Sequence, residues 1–95
     1  MIKVLKGMKD RYFEDIRKYD YIIDSAKNVF SKYGFEKIIT PIVEETELFE
    51  RGVGEETDVV SKEMYTFLDK AGRSITLRPE GTAGVVRAYL QGGLY

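Results

Sequence analysis

Ninety-five residues make at most one domain, and 43% hydrophobic and 33% charged residues at a net charge of −1 describe an ordinary globular chain. The absence of Cys and His excludes a disulfide framework, a thiolate metal site, a His-centred triad and the commonest general base. No run approaches the ~20 apolar residues of a membrane helix, residues 1–6 lack the apolar stretch of a signal peptide, and no basic stripe offers a nucleic-acid surface, so the expectation is a cytoplasmic protein.

In chain order, residues 1–12 read as an extended or looped start that Gly7 interrupts. A long helix is predicted from about Phe13, with Glu14 and Asp15 where the helix dipole favours acids. Ile16, Tyr19, Ile22, Ile23, Ala26, Val29, Phe30 and Tyr33 recur at three- and four-residue steps and form one apolar stripe. Lys32 falls in the last turn and Gly34 supplies the stop. Phe35 to Thr40 then reads as a strand ended by Pro41, with Ile42 and Val43 as its continuation. Because proline donates no ladder hydrogen bond, this strand is predicted to be an edge, or to bend there, and so to offer a docking surface to a second chain.

Thr46 is placed to cap a short helix over 47–51, and another helical turn is predicted at 55–61. Met64–Leu68 and Ser74–Leu77 read as two strands of a hairpin around the turn-like Asp69-Lys70-Ala71-Gly72. A last helix is predicted from Thr82 to Leu90, ended by Gly92-Gly93. A hairpin, one further strand and segregated helices make an α+β pattern with an antiparallel sheet of about three strands, thin enough to read as part of a larger one. Residues 41–63 carry eight acids against two bases and read as a solvated face.

The segment Arg78-Pro79-Glu80-Gly81-Thr82 joins the hairpin to the last helix. Glu80 follows a rigid proline and precedes a helix N-terminus, whose dipole keeps its carboxylate ionised. Such a group either serves the helix or holds a protonated amine through a charge-assisted hydrogen bond. Thr82 reads first as an N-cap, and Gly81 as a turn residue or a point of close ligand approach. Arg73, Arg78 and Arg87 read as surface ion-pair residues. Gly52-Val53-Gly54 lacks the lysine of a phosphate loop, and the acids lack calcium-loop spacing. These motifs supply no catalytic base, no nucleophile and no metal ligand set, so the chain does not read as a complete catalyst.

Six segments taken together carry a family resemblance. They are Lys6-Gly7-Met8-Lys9-Asp10, residues 33–42 (YGFEKIITPI), Glu45-Thr46-Glu47-Leu48-Phe49, Gly54-Glu55-Glu56-Thr57-Asp58, residues 62–67 (KEMYTF) and residues 76–83 (TLRPEGTA). In this order and spacing the chain resembles the N-terminal part of histidyl-tRNA synthetases, which are class II aminoacyl-tRNA synthetases, from about Lys6 to Tyr89. The resemblance implies an incomplete class II catalytic domain over 1–95, with motif 1 at about 33–58 and the histidine-binding loop at 78–82. Motif 1 would place Pro41, Ile38 and Ile39 at a homodimer interface. Glu80 and Thr82 would contact the α-amino group of histidine, with Gly81 lying against it.

The full enzyme so implied condenses histidine with ATP, assisted by Mg2+, and passes histidine to tRNA. Motif 2, motif 3, the catalytic arginine and the anticodon-binding domain have no counterpart in these residues, so no adenylation is expected of this chain alone. Phe13 and Gly84 stand where the family often has proline. The alternatives are a synthetase-like, non-catalytic regulatory subunit of ATP phosphoribosyltransferase, or a module that only dimerises. Glu80-Gly81-Thr82 keeps the synthetase form of the loop and argues against the regulatory subunit.

Overall fold

The structure is a computed structural model and describes residues 1–52 and 63–95. The helical turn predicted at 55–61 and the end of the motif 1 resemblance lie outside the described residues. The chain divides into two compact units, residues 1–37 and 38–95.

The first unit is built on helix α1, Glu14–Lys32. Its start departs from a normal cap. Phe13 takes φ 54°, a left-handed-region value rare for a bulky side chain. A proline there would be locked near −65° and could not follow the same path. Arg11 steadies this end, bonding Asp15 at 3.1 Å and lying 5.3 Å over the Tyr19 ring.

The other end is a Schellman cap. Gly34 takes φ 81°, its N–H donates to Ser31 O, and the Phe35 N–H donates to Phe30 O. The Phe30 and Phe35 rings meet at 5.8 Å, the apolar contact that accompanies this motif. The predicted stripe is present on α1, yet none of its residues is buried within this chain.

Among the described residues, the second unit is an antiparallel sheet with two helices. Strand β1 is Val43–Glu45, helix α2 is Thr46–Gly52, strand β2 is Thr66–Leu68, strand β3 is Ser74–Leu77 and helix α3 is Thr82–Gln91. The strand order is β1-β3-β2. Val43 pairs with Leu77, Glu44 with Thr76 and Glu45 with Ile75, while on the other side Thr66 pairs with Thr76 and Phe67 with Ile75. The α+β class read from the sequence is therefore observed.

The hairpin turn is locked by Asp69. Its Oδ1 accepts the amides of Ala71 and Arg73, both at 2.9 Å, and its Oδ2 accepts the Arg73 guanidinium at 2.8 Å. Gly72, at φ 82°, provides the left-handed step that returns the chain.

The first strand is a correction. Residues 35–40 form no strand, and β1 begins after Pro41 rather than ending there. Strand propensity is realised only against a partner, and the four residues of β3 find theirs in 43–45. The edge character survives this shift, because β1 is an outer strand.

Little of this unit is apolar core. Among the described residues Phe49 is the buried hydrophobic side chain, whereas Thr46 and Thr76 are buried polar ones, Thr76 completely. Their hydroxyls form a chain. Thr76 donates to Thr46 at 2.8 Å, so Thr66 is left to donate to Thr76 at 2.9 Å, and the Thr46 and Ser74 hydroxyls share a hydrogen bond at 2.7 Å. The cap predicted at Thr46 is thus revised: the residue opens α2 itself, and its hydroxyl is committed to the sheet.

Candidate functional site

The loop between β3 and α3 is held from both sides by the segment 40–44. Before the loop, the Arg78 N–H donates to Ile42 O at 2.9 Å, prolonging the β1–β3 pairing. The Arg78 guanidinium donates to Thr40 O at 3.0 Å and reaches Pro41 O at 3.5 Å. After the loop, Arg87 Nε lies 3.1 Å from both carboxylate oxygens of Glu44, and Arg87 Nη1 donates to Gln91 Oε1 at 2.7 Å.

Two sequence readings are corrected here. Arg78 makes backbone contacts rather than a surface ion pair. Glu44 does not belong to a solvated acidic face, since its side chain is only 9% exposed. It stands opposite Thr76 in the ladder, on the sheet face where that threonine is buried. Two signals in the sequence pointed this way. Strand alternation sends Glu44 and Glu45 to opposite faces, and Gly84, Arg87 and Gln91 share one face of α3 by their three- and four-residue spacing.

Gly84 is buried, and a Cβ built on it would lie 3.0 Å from Glu44 Oε2 and 3.5 Å from Thr40 Oγ1. Glycine at this position lets the helix approach the strand.

Within the loop, Glu80 caps α3. Its Oε2 accepts the Thr82 amide at 2.5 Å and its Oε1 accepts the Ala83 amide at 3.0 Å. These donors point at the N-terminal end of the helix, where no intrahelical acceptor exists. The Ala83 amide is the main reason the carboxyl is held below its ordinary range; desolvation opposes this, and the Thr82 amide and hydroxyl reinforce it. Thr82 was expected to be the N-cap. Gly81 occupies that place instead, and Thr82 is the first helical residue.

Gly81 has φ −99° and nothing within 4 Å of where a Cβ would stand. Neither its backbone nor its packing calls for glycine. The arrangement thus presents an ionised, solvent-facing carboxylate, fixed by two amides, beside a hydroxyl and a bare stretch of backbone. It can bind a cation of ammonium size. It offers no nucleophile and no base poised at a neutral pKa. Among the described residues no group of three or more acids could hold a metal ion.

Ile38 and Ile39 are exposed, Ile39 to 81%, and Pro41 is exposed two residues before the outer strand β1.

The profile of the histidyl-tRNA synthetase family matches residues 7–92. The chain is 56% identical over 94 residues to a histidine–tRNA ligase of Clostridium kluyveri, covering 99% of this chain and 23% of that protein. It is 59% identical over 92 residues to the corresponding protein of Thermotoga petrophila, covering 97% and 22%. The crystal structure of apo histidyl-tRNA synthetase from S. aureus superposes with a TM-score of 0.80 at 44% identity, covering 99% of this chain and 24% of that one. A Bacillus halodurans protein described as an ATP phosphoribosyltransferase regulatory subunit/histidyl-tRNA synthetase shares the fold, with a TM-score of 0.76 at 24% identity. The chain spans less than a quarter of the length of the curated relatives it matches.

Proposed function

The chain belongs to the histidyl-tRNA synthetase family, and on that premise we propose that its residues serve a histidine–tRNA ligase as the amine-recognising corner of the histidine pocket. Glu80 receives the α-ammonium group of histidine, Thr82 adds a hydroxyl contact, and Gly81 leaves the backbone open to the substrate. One observation carries the reading: the Glu80 carboxylate is ionised, exposed and already aimed by two amide donors. A carboxylate has about four lone-pair sites, so at least one remains for the substrate beside the two amides and the Thr82 hydroxyl. Because the helix holds the acceptor in place beforehand, binding costs little reorganisation.

ATP with Mg2+ and tRNA are co-substrates of this reaction, and their contacts fall to other parts of the enzyme. Residues 33–58 act as motif 1, with Pro41, Ile38 and Ile39 at the interface of a cytoplasmic homodimer. The exposed isoleucines and the outer position of β1 support that placement. The regulatory-subunit alternative has no specific support: its likeness lies at 24% identity, whereas curated relatives above 50% identity are histidine–tRNA ligases.

The test replaces the matching 94-residue segment of the full-length C. kluyveri ligase with this chain. The chimera is expected to retain histidine-dependent ATP–pyrophosphate exchange. Glu80→Gln in the chimera should raise the histidine KM roughly ten- to a hundredfold, as loss of a charge-assisted hydrogen bond predicts. An unchanged histidine KM in an active chimera removes Glu80 from the pocket.

A further inference from the structure

Glu80, Gly81 and Thr82 are all exposed, so side-chain packing does not place the segment that carries the carboxylate. Its placement must come from what holds its two ends. Arg78 ties the first end to Thr40, Pro41 and Ile42. The second end is the first turn of α3, and there the nearest neighbour of Gly84 across the unit is charged, with Thr40 beside it. The Glu44 carboxylate is nearly enclosed, bonded to Arg87 through both oxygens, and set against the bare Cα of Gly84.

A buried carboxylate is costly unless paired, so this geometry is strongly enforced: moving the helix away strands the charge, and moving it inward meets the oxygen. The Thr82 and Ala83 amides that aim Glu80 lie within two residues of Gly84. Any shift of the helix start therefore becomes a shift of the Glu80 oxygens.

We propose that Glu44 is a positioning residue for Glu80, acting through Arg87 and Gly84. Glu44 touches no substrate; it sets where the helix begins and hence where the ammonium-binding carboxylate points. This inference rests on the histidine-pocket reading above.

The experiment uses the active chimera and three variants, Glu44→Gln, Gly84→Ala and Glu80→Gln, each measured for histidine KM, ATP KM and Tm. Glu44→Gln removes the charge that holds Arg87. Gly84→Ala keeps the pair but inserts a methyl 3.0 Å from Glu44 Oε2, so it reports even where Glu44→Gln does not fold. Both are expected to raise the histidine KM roughly tenfold or more, the scale of an ångström-level misplacement, while the ATP KM stays within about twofold. A role confined to stability would lower Tm with both KM values unchanged, or raise the two together, and either result overturns the proposal. Glu80→Gln separates the two claims. If it raises the histidine KM and the other two do not, positioning fails and the pocket stands. If it leaves the histidine KM unchanged, both fail.

Discussion

Glu80 has a structural duty before any substrate arrives, and that duty is measurable. Glu80→Gln replaces two acceptor oxygens with one, and the NH2 group cannot accept the second amide. One of the two donors now served by Oε1 and Oε2 must turn to water. The negative charge facing the helix N-terminus is lost as well. Cap substitutions typically cost about 1 kcal/mol and an exposed charge at a helix end about 0.3–1 kcal/mol, so about 0.5–1 kcal/mol is expected at this exposed position. For a chain of this size that lowers Tm by roughly 2–8 °C.

The pH dependence has a definite sign. The Glu80 carboxyl is depressed below its ordinary value of 4.5. Its stabilisation is fully present above that value and is lost as pH falls through the lower, folded value. Thermal melts of the 95-residue chain, followed by far-UV circular dichroism, should show the widest gap between wild type and Glu80→Gln at neutral pH. The gap should narrow in acid once wild-type Glu80 protonates. Asp69 is depressed in the same direction, chiefly by the Arg73 amide, but it is present in both proteins and cancels in the difference. Equal melting temperatures at neutral pH, or a gap that persists unchanged in strong acid, would refute an ionised carboxylate holding the helix start.

Thr76→Val removes the middle of the hydroxyl chain and leaves Thr66 and Thr46 each short of a partner; a loss of about 1–2 kcal/mol is expected in urea unfolding, against less for Thr66→Val, whose side chain water can reach. Gly34→Ala forces a Cβ into the φ 81° position of the α1 cap, and a destabilisation of about 1 kcal/mol in α1 should appear as reduced helical signal on heating. Sedimentation equilibrium tests the edge: the chain should self-associate, and Ile39→Asp should shift it toward monomer, whereas a strictly monomeric wild type at high concentration would remove Ile38 and Ile39 from the interface. The chain assayed alone should show no histidine-dependent pyrophosphate exchange, and detecting it would mean that these residues suffice for adenylation.

Local chemistry made several elements readable in advance. The stripe from Ile16 to Tyr33 and the glycine after it place α1 within a residue at either end, because helix periodicity and the left-handed cap depend on neighbours only three to five residues away. The Asp69–Gly72 turn is similarly local, since Asp69 bonds amides within four residues of itself. Glu80 beside a helix start was legible for the same reason. Thr82 as the cap was not, because Glu80 competes for the same amides with two oxygens instead of one hydroxyl.

The other readings that failed depend on distant partners. Whether 35–40 or 43–45 forms the strand is decided by β3, some thirty residues away in sequence, against a strand propensity that favours 35–40. Whether Glu44 is solvated or enclosed is decided by α3, through Arg87 and a glycine that admits the carboxylate. By itself the sequence determined the family and the α+β class, and it singled out Glu80 as the acid proposed to meet an amine, since each is written in its local runs. Only the tertiary structure decided where that acid is held and by what. Position is set by the hydrogen bonds and packing between segments some forty residues apart, and no local pattern encodes which of several acids and arginines will meet.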